Sequence, residues 1–217
     1  MPVNIPASWL YEFDEESTME MGFTMDDGTS TNVEMMNQEN EVPFYIDDEV
    51  QVLDLPYGGG RFSMTFIRPA DNTPIDDFID QDLNSSSLES WIDNLESDTV
   101  RFFIPKLEIE YFKSLRDHLI EMGMPTAFSP SADFSNITPN GGIMISDVLH
   151  KTYVKMDEEG TEAAGVTAVI FERTSVEPDP TPTIMMNRSY LMILREKETG
   201  AISFIGKIGK PEAEIND

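Results

Sequence analysis

The chain offers only two histidines, His118 and His150, and no cysteine, so few of its residues could act as a base or a nucleophile. A serine hydrolase needs a histidine beside an activated hydroxyl, and a papain-like enzyme needs a cysteine. We find no Gly-x-Ser-x-Gly turn in the sequence. We interpret His118 as a surface or boundary residue, and His150, within an apolar strand pattern, as a core histidine. The sequence therefore does not predict an enzyme.

Two acidic segments, Asp26–Gly28 and Asp47–Glu49, could offer carboxylate oxygens to calcium. Neither has the Asp-x-Asp-x-Asp-Gly spacing with a distant glutamate that an EF-hand loop requires. We interpret both as turns or surface acids, and without cysteine there is no thiolate site. No metal and no cofactor are predicted.

The most informative stretch, Glu158–Val169, is neither helix-periodic nor strongly apolar. Side chains alternate between the two faces of a β-strand. In that period one face carries Thr161, Ala163, Gly165 and Thr167, which are small enough to enter a packed sheet without overfilling it. The stretch could thus become a strand on demand. Taken alone, it would equally suit a flexible linker.

This stretch resembles the hinge of the serpins, a family of protease inhibitors, whose pattern is Glu-Glu-Gly-Thr-Glu-Ala-Ala followed by small residues. The matching hinge residues are Glu158, Glu159, Gly160, Thr161, Glu162, Ala163, Ala164 and Gly165. Other serpin-like features follow in family order, from Trp9 with Phe13 and Phe23 through Val33–Met36, Gln51–Tyr57, Ile104–Leu107 and Asp147–Lys151. Together they cover nearly the whole chain, from Trp9 to about Lys210.

The resemblance implies a suicide-substrate inhibitor of serine or papain-like cysteine endopeptidases. In the family the target cleaves an exposed loop and forms an acyl-enzyme, and the hinge then inserts into a large sheet as a new strand. Insertion drags the trapped enzyme across the molecule and distorts its active site. The implied loop leaves the sheet at Glu158, returns near Asn187 and extends to about Ser189.

The family's usual loop length implies cleavage between Thr174 and Ser175. Arg173 lies one residue earlier, and a trypsin-like protease with an acidic specificity pocket would prefer to cut after arginine. The bond Arg173–Thr174 is therefore the alternative.

Lys106, Trp9 and His150 match family positions that support the base of the loop. Lys106 and the hinge residue Glu158 match a pair near the top of the large sheet, where insertion begins, and a salt bridge between them is expected. Trp9 matches the family tryptophan of that region, and His150 matches a histidine where the central strands part. For Trp9 and His150, packing in the core is an equal alternative to a functional role.

Short apolar runs with strand spacing indicate the elements that must position these residues. These runs are Val33–Met36, Val50–Tyr57, Phe62–Ile67, Val100–Ile109, Val148–Met156, Tyr190–Arg195 and Ala201–Ile208. Two turns, Gly58–Gly60 and Glu198–Gly200, predict antiparallel hairpins.

Three helices are predicted, over Ile75–Ile79, Leu88–Leu95 and Tyr111–Met122. The third should lie on a sheet, because Leu115, Leu119 and Met122 would share one face. The proline-rich segment Glu172–Thr183 predicts an extended, exposed loop.

Composition fits one ordinary domain, with 40% hydrophobic and 25% charged residues among 217. The 41 acidic residues outnumber the 14 basic ones, and a net charge of −27 argues against binding to nucleic acid or anionic membranes. No apolar run is long enough to span a bilayer, and Met1–Leu10 lacks the features of a signal peptide.

We therefore expect a single serpin-like α+β domain over residues 1–217, mostly antiparallel sheets with a few helices. Family members carry helices and strands before the position of Trp9, so the N-terminal helices and part of the large sheet are expected to be missing. The remaining sheet edge should favour self-association. The expected partner is a target endopeptidase, and the resemblance implies an extracellular or periplasmic location. The alternative function is a non-inhibitory serpin-fold binding or structural protein, or an inactive fragment.

Overall fold

The structure, a computed structural model, describes residues 7–138, 141–161 and 181–211. Its strands are β1 (Ala7–Ser8), β2 (Met19–Thr24), β3 (Ser30–Ile46), β4 (Val50–Tyr57), β5 (Phe62–Pro69), β6 (Glu96–Pro105), β7 (Leu107–Ser114), β8 (Leu149–Met156), β9 (Gly160–Thr161), β10 (Thr183–Met185), β11 (Tyr190–Glu196) and β12 (Ile202–Ile208). Its α-helices are α1 (Ile75–Gln81), α2 (Ser85–Asp93) and α3 (Arg116–Glu121). The predicted class, mostly antiparallel sheets with a few helices, is confirmed.

The described residues form two compact units. The first holds those up to Glu108 and those from Lys155 onward, and the second holds Ile109–Val154. No described helix has the length and apolar character needed to cross a bilayer.

An eight-stranded sheet dominates the first unit, in the order β10-β6-β3-β4-β5-β11-β12, with β2 also paired to β3. Only β10 runs parallel to its neighbour; the other pairings are antiparallel. Both predicted hairpins are confirmed. In the first, Gly58, Gly59 and Gly60 all have positive φ, so the tight turn between β4 and β5 suits glycine.

Helices α1 and α2 contribute to a core cluster on this sheet. Its buried members come from β4, β5, α1 and β11: Val50, Val52, Ile67, Ile75, Phe78, Leu191 and Ile193. Phe78 of α1 stacks on Trp91 of α2, with ring centroids 5.6 Å apart. The first two predicted helices are confirmed, with the second beginning at Ser85, where Asn84 caps it.

The third predicted helix is wrong over its first half. Residues from Tyr111 to Ser114 belong to β7, and only Arg116–Glu121 is α-helical. The alternation of Leu107, Ile109 and Tyr111 with glutamates has a strand period, and β7 pairs with β8. No residue of α3 is buried, so the predicted packing face is also wrong.

The predicted exposed loop is too long at its C-terminal end. The chain has joined the eight-stranded sheet at Thr183, where β10 pairs with Arg101–Phe103 of β6. Ile184 and Met186 are fully buried, and Tyr190 begins β11. Three apolar residues, Ile184–Met186, follow the prolines. Burial of Ile184 and Met186 favours pairing with this sheet before Asn187.

Candidate functional site at the base of the predicted loop

The predicted hinge begins with a reversal of the chain directly after β8. Asp157 and Gly160 form an antiparallel bridge, with N···O distances of 3.1 and 3.2 Å. Gly160 has φ 122°, a conformation that favours glycine. Beyond the turn, β9 pairs antiparallel with β1, so that Gly160 lies opposite Ser8 and Thr161 opposite Ala7. Gly160 and Thr161 of the predicted hinge are thus part of a two-stranded ladder.

Glu158 is a buried carboxylate at this turn, with 5% of its surface exposed. Thr18 Oγ1 donates a hydrogen bond to Glu158 Oε1 at 2.7 Å, and Lys106 Nζ lies 3.1 Å from Glu158 Oε2. The structure thus brings together the two residues for which a salt bridge was expected. Glu34 is more distant, 3.9 Å from Lys106 Nζ.

These contacts hold both groups in their charged forms. Burial alone would raise the pKa of Glu158, but the hydrogen bond from Thr18 and the charge of Lys106 lower it below its usual value of 4.5. For Lys106, burial alone would lower the pKa, but the carboxylate of Glu158 raises it above 10.5. The pair is therefore charged over a wide range of pH.

Trp9 also makes hydrogen bonds to this turn. Its indole Nε1–H donates to the Asp157 carbonyl at 2.9 Å, and its backbone N–H donates to the Glu159 carbonyl at 3.2 Å. The backbone N–H of Phe13 donates to the Glu158 carbonyl at 3.0 Å. Three successive carbonyls of the turn thus accept hydrogen bonds from one short segment.

The ring of Trp9 is also a core residue, only 2% exposed. It makes edge contacts with Phe13 and Tyr57, at centroid distances of 5.9 and 5.1 Å. Trp9 thus packs in the core and also contacts the predicted hinge, and a functional role for it stays a prediction.

His150 lies in the second unit, on β8, and the interpretation of it as a core histidine is wrong. Its side chain is exposed, with Nε2 2.9 Å from Thr152 Oγ1 and its ring 6.2 Å from that of Tyr111. The strand is part of a sheet of only two strands, so its apolar spacing does not produce burial. His118 is exposed on α3.

Several predicted site residues lie outside the described part of the chain. They are Glu162, Ala163, Ala164 and Gly165 of the hinge, and Arg173, Thr174 and Ser175 of the predicted reactive bond. Their roles stay predictions.

Thr18, the second direct partner of the Glu158 carboxylate, was not predicted from the sequence. Thr18 follows a short 3-10 turn, Glu15–Ser17, whose start is capped by Asp14. Nothing in that local pattern points to a residue 140 positions away.

The chain belongs to the serpin family. A family model described as serpin (serine protease inhibitor) matches residues 3–211. This is a family of protease inhibitors and not of enzymes, and the expected partners of its members are target proteases.

Comparisons with individual proteins support the same family assignment. The chain is 34% identical to intracellular coagulation inhibitor 2 of Tachypleus tridentatus, over 95% of this chain and 50% of that protein. It is similar to solved human thyroxine-binding globulin, with a TM-score of 0.82, 29% identity and coverage of 95% of this chain and 54% of that one. It also matches Tengpin, a thermophilic serpin in its native state, with a TM-score of 0.81, 30% identity and coverage of 94% and 52%. The chain thus spans about half the length of these relatives.

Proposed function

We propose that this chain supplies the bait loop and the inserting strand of a suicide-substrate inhibitor of serine or papain-like cysteine endopeptidases. The observation that carries the proposal is the pairing of β9 with β1 directly after the turn at Glu158. A strand that already has two residues in register with a neighbour can be extended without a new nucleation step. The small residues Thr161, Ala163 and Gly165 suit that extension, because they add little volume to a packed sheet.

The proposed mechanism stores free energy in the uncleaved loop and releases it on cleavage. The target protease attacks Thr174–Ser175, or alternatively Arg173–Thr174, and becomes acylated by the loop. Freed at one end, the hinge adds to the sheet and forms ladder hydrogen bonds that the uncleaved loop lacks. Movement of the attached enzyme distorts its oxyanion hole, so the acyl-enzyme is not hydrolysed.

An adduct assay tests the proposal. The protein is incubated with subtilisin, elastase, trypsin or papain, and the products are followed by denaturing gel and intact mass. We expect an adduct that survives SDS, together with release of the peptide that begins at Ser175. Release of a peptide beginning at Thr174 would instead support the alternative bond. Cleavage by all four proteases without any adduct would contradict the proposal.

Two matched hinge variants separate insertion from simple cleavage. Thr161→Arg would have to bury a guanidinium in the sheet, so we expect cleavage without adduct. Glu162→Arg is the control, because alternation places residue 162 on the opposite face of the same strand. Equal adduct yield from wild type and Thr161→Arg would contradict insertion.

A non-inhibitory binding protein is the second candidate. It is favoured by the similarity to a thyroxine-binding globulin and by the half-length match to the relatives. This candidate predicts cleavage of the loop with neither an adduct nor a gain in thermal stability.

We propose that the protein is located outside the cell or in the periplasm, as the family resemblance implies. Immunoblots of cell, periplasm and medium fractions test this, and protein confined to the cytosol would contradict it.

A further inference from the structure

Buried polar atoms without a partner are concentrated at one end of the eight-stranded sheet. In the described part of the chain, five buried side-chain nitrogen or oxygen atoms have no hydrogen-bond partner. Four of them belong to residues at or next to the start of β4, the end of β5 and the start of β11: Gln51 Oε1, Arg68 Nε, Ser189 Oγ and Tyr190 OH. Because a buried polar atom without a partner is costly, this concentration indicates a place where a polar group binds.

Arg68 lies at the centre of this group. Gln51 lies opposite Arg68 in the ladder between β4 and β5. On the other side of β5, Leu191 lies opposite Ile67, so the antiparallel register brings Tyr190 next to Arg68. Residues that lie opposite each other in a ladder point to the same face of the sheet. Each strand that flanks Arg68 thus contributes a residue with an unpartnered polar atom.

Two guanidinium groups meet at this end of the sheet. Arg68 is only 9% exposed, and its Nη1–H donates to Asp71 Oδ1 at 2.9 Å and to Asn187 Oδ1 at 3.3 Å. Arg188 donates from Nη1 to the Asp71 carbonyl, and the same nitrogen lies 3.7 Å from Asp71 Oδ1. Two positive side chains therefore share the carboxylate of Asp71.

The electrostatics of this pair favour a further negative group. Burial lowers the pKa of Arg68, the carboxylate of Asp71 opposes that effect, and the positive charge of Arg188 adds to it. The Asp71 side chain is 78% exposed, so water weakens its attraction for both arginines. A chain with a net charge of −27 has only seven arginines, and two of them meet here.

We propose that Arg68 and Arg188 bind a small oxyanion, a carboxylate or a phosphate, where the chain returns to the sheet before β11. The planar fork of a guanidinium matches both kinds of anion through paired N–H···O bonds. The exposed side chain of Asp71 can turn into water and give its place to the ligand, while Asn187 remains a partner of Arg68. The inference does not depend on inhibition of a protease.

A bound anion would connect three segments of the first unit. Arg68 ends in β5, whereas Arg188 lies between β10 and β11 and forms a parallel bridge with Thr24 of β2. The backbone N–H of Thr24 donates to the Asn187 carbonyl at 2.9 Å. Binding should therefore slow hydrogen exchange at the Thr24 amide, which reports on the site directly.

Equilibrium dialysis with radiolabelled inorganic phosphate tests the proposal. The full chain is dialysed at pH 7, and sodium chloride holds the ionic strength constant. We expect saturable binding of a single phosphate per chain. Competition then identifies the class of ligand: acetate that displaces phosphate better than sulfate does would assign a carboxylate, and the reverse order would assign a tetrahedral oxyanion.

Charge-matched variants locate the site. Arg188→Gln should weaken phosphate binding by about tenfold or more, because it removes a charged donor. Arg61→Gln is the control, since it removes the same charge next to the opposite end of β5, where Arg61 is 74% exposed. Asp71→Asn should tighten binding, because it removes the carboxylate that competes with the ligand. Circular dichroism verifies that each variant is folded.

Four results would overturn the proposal. One is the absence of saturable phosphate binding by the wild-type chain, and another is an equal loss of binding with Arg188→Gln and Arg61→Gln. The third is weaker binding by Asp71→Asn, which would show that Asp71 holds the arginines in place and does not compete with a ligand. The last is slower exchange at Thr24 that persists in Arg188→Gln, since phosphate also stabilises folded proteins without a specific site.

Discussion

At the residue scale, the Glu158 carboxylate connects the turn at the base of the predicted loop to Thr18 and Lys106. It is buried, and it combines one hydroxyl donor, Thr18, with one ammonium, Lys106. A buried carboxylate without such partners would carry a large desolvation cost. The family resemblance predicted the pairing with Lys106, whereas the contact with Thr18 depends on a chain reversal that local sequence does not encode.

Replacing Glu158 by glutamine should lower the free energy of unfolding by about 1–3 kcal/mol, because Lys106 loses a charged partner in a partly buried site. The amide oxygen can still accept from Thr18, so the change isolates the charge. Glu34→Gln is the control: that ion pair spans 3.9 Å with Glu34 65% exposed, and it should contribute little. Urea unfolding at pH 7 measures both, and an equal effect of the two variants would contradict the assignment.

The stabilising effect of this pair should depend on pH in a defined direction. Folding lowers the pKa of Glu158 below 4.5, so its contribution is present above that value and is lost as pH falls through the lowered pKa. Folding raises the pKa of Lys106 above 10.5, so its contribution is lost only as pH rises through the raised pKa. The stability difference between wild type and Glu158→Gln should therefore be constant near neutral pH and shrink below about pH 4.5. A difference that grows in acid would contradict this prediction.

At the element scale, a buried polar network ties three neighbouring strands together. Arg195 of β11 donates from Nη2 to Asp54 of β4 at 2.9 Å and from Nε to Thr65 of β5 at 3.0 Å. Thr65 Oγ1 donates to the second oxygen of Asp54 at 2.5 Å. All three side chains are buried, so each polar group depends on the others for a partner.

Asp54→Ala should destabilise the protein by about 3–5 kcal/mol, because it leaves the Arg195 guanidinium buried without its counter-charge. Arg61→Ala is a suitable control, since its ion pair with Glu196 is 3.4 Å long and Arg61 is 74% exposed. In the double variant Asp54→Leu with Arg195→Met, much of the loss should be recovered. Chemical denaturation measures all three, and a loss below about 1 kcal/mol for Asp54→Ala would contradict the role of the network.

Sequence patterns predicted elements well where one residue type determines the backbone. Three glycines fixed the hairpin between β4 and β5. The apolar run Tyr190–Arg195, predicted as a strand, lies within β11, which is buried along its whole length. The helix predicted over Tyr111–Ser114 was wrong because a helical and a strand period overlap in that segment. Pairing with β8 makes this segment a strand. Because β8 lies far along the chain, the pattern of neighbouring residues does not reveal the pairing.

At the scale of the whole molecule, the excess of 27 negative charges opposes compact folding. Screening shortens the reach of this repulsion from roughly 30 Å at 0.01 M salt to about 10 Å at 0.1 M. We therefore expect the urea midpoint to rise with sodium chloride over that range. A midpoint that falls with salt would show that attractive ion pairs, not repulsion, dominate the electrostatic energy.

The central claim is that the loop beginning at Glu158 enters a sheet once it is cut, and the melting temperature before and after loop cleavage tests it most directly. The protein is cut within residues 162–180 by a protease that is then removed, and both forms are heated under the same conditions. We expect a higher melting temperature for the cleaved form, and no increase for cleaved Thr161→Arg. An unchanged or lower melting temperature for the cleaved wild type would contradict insertion.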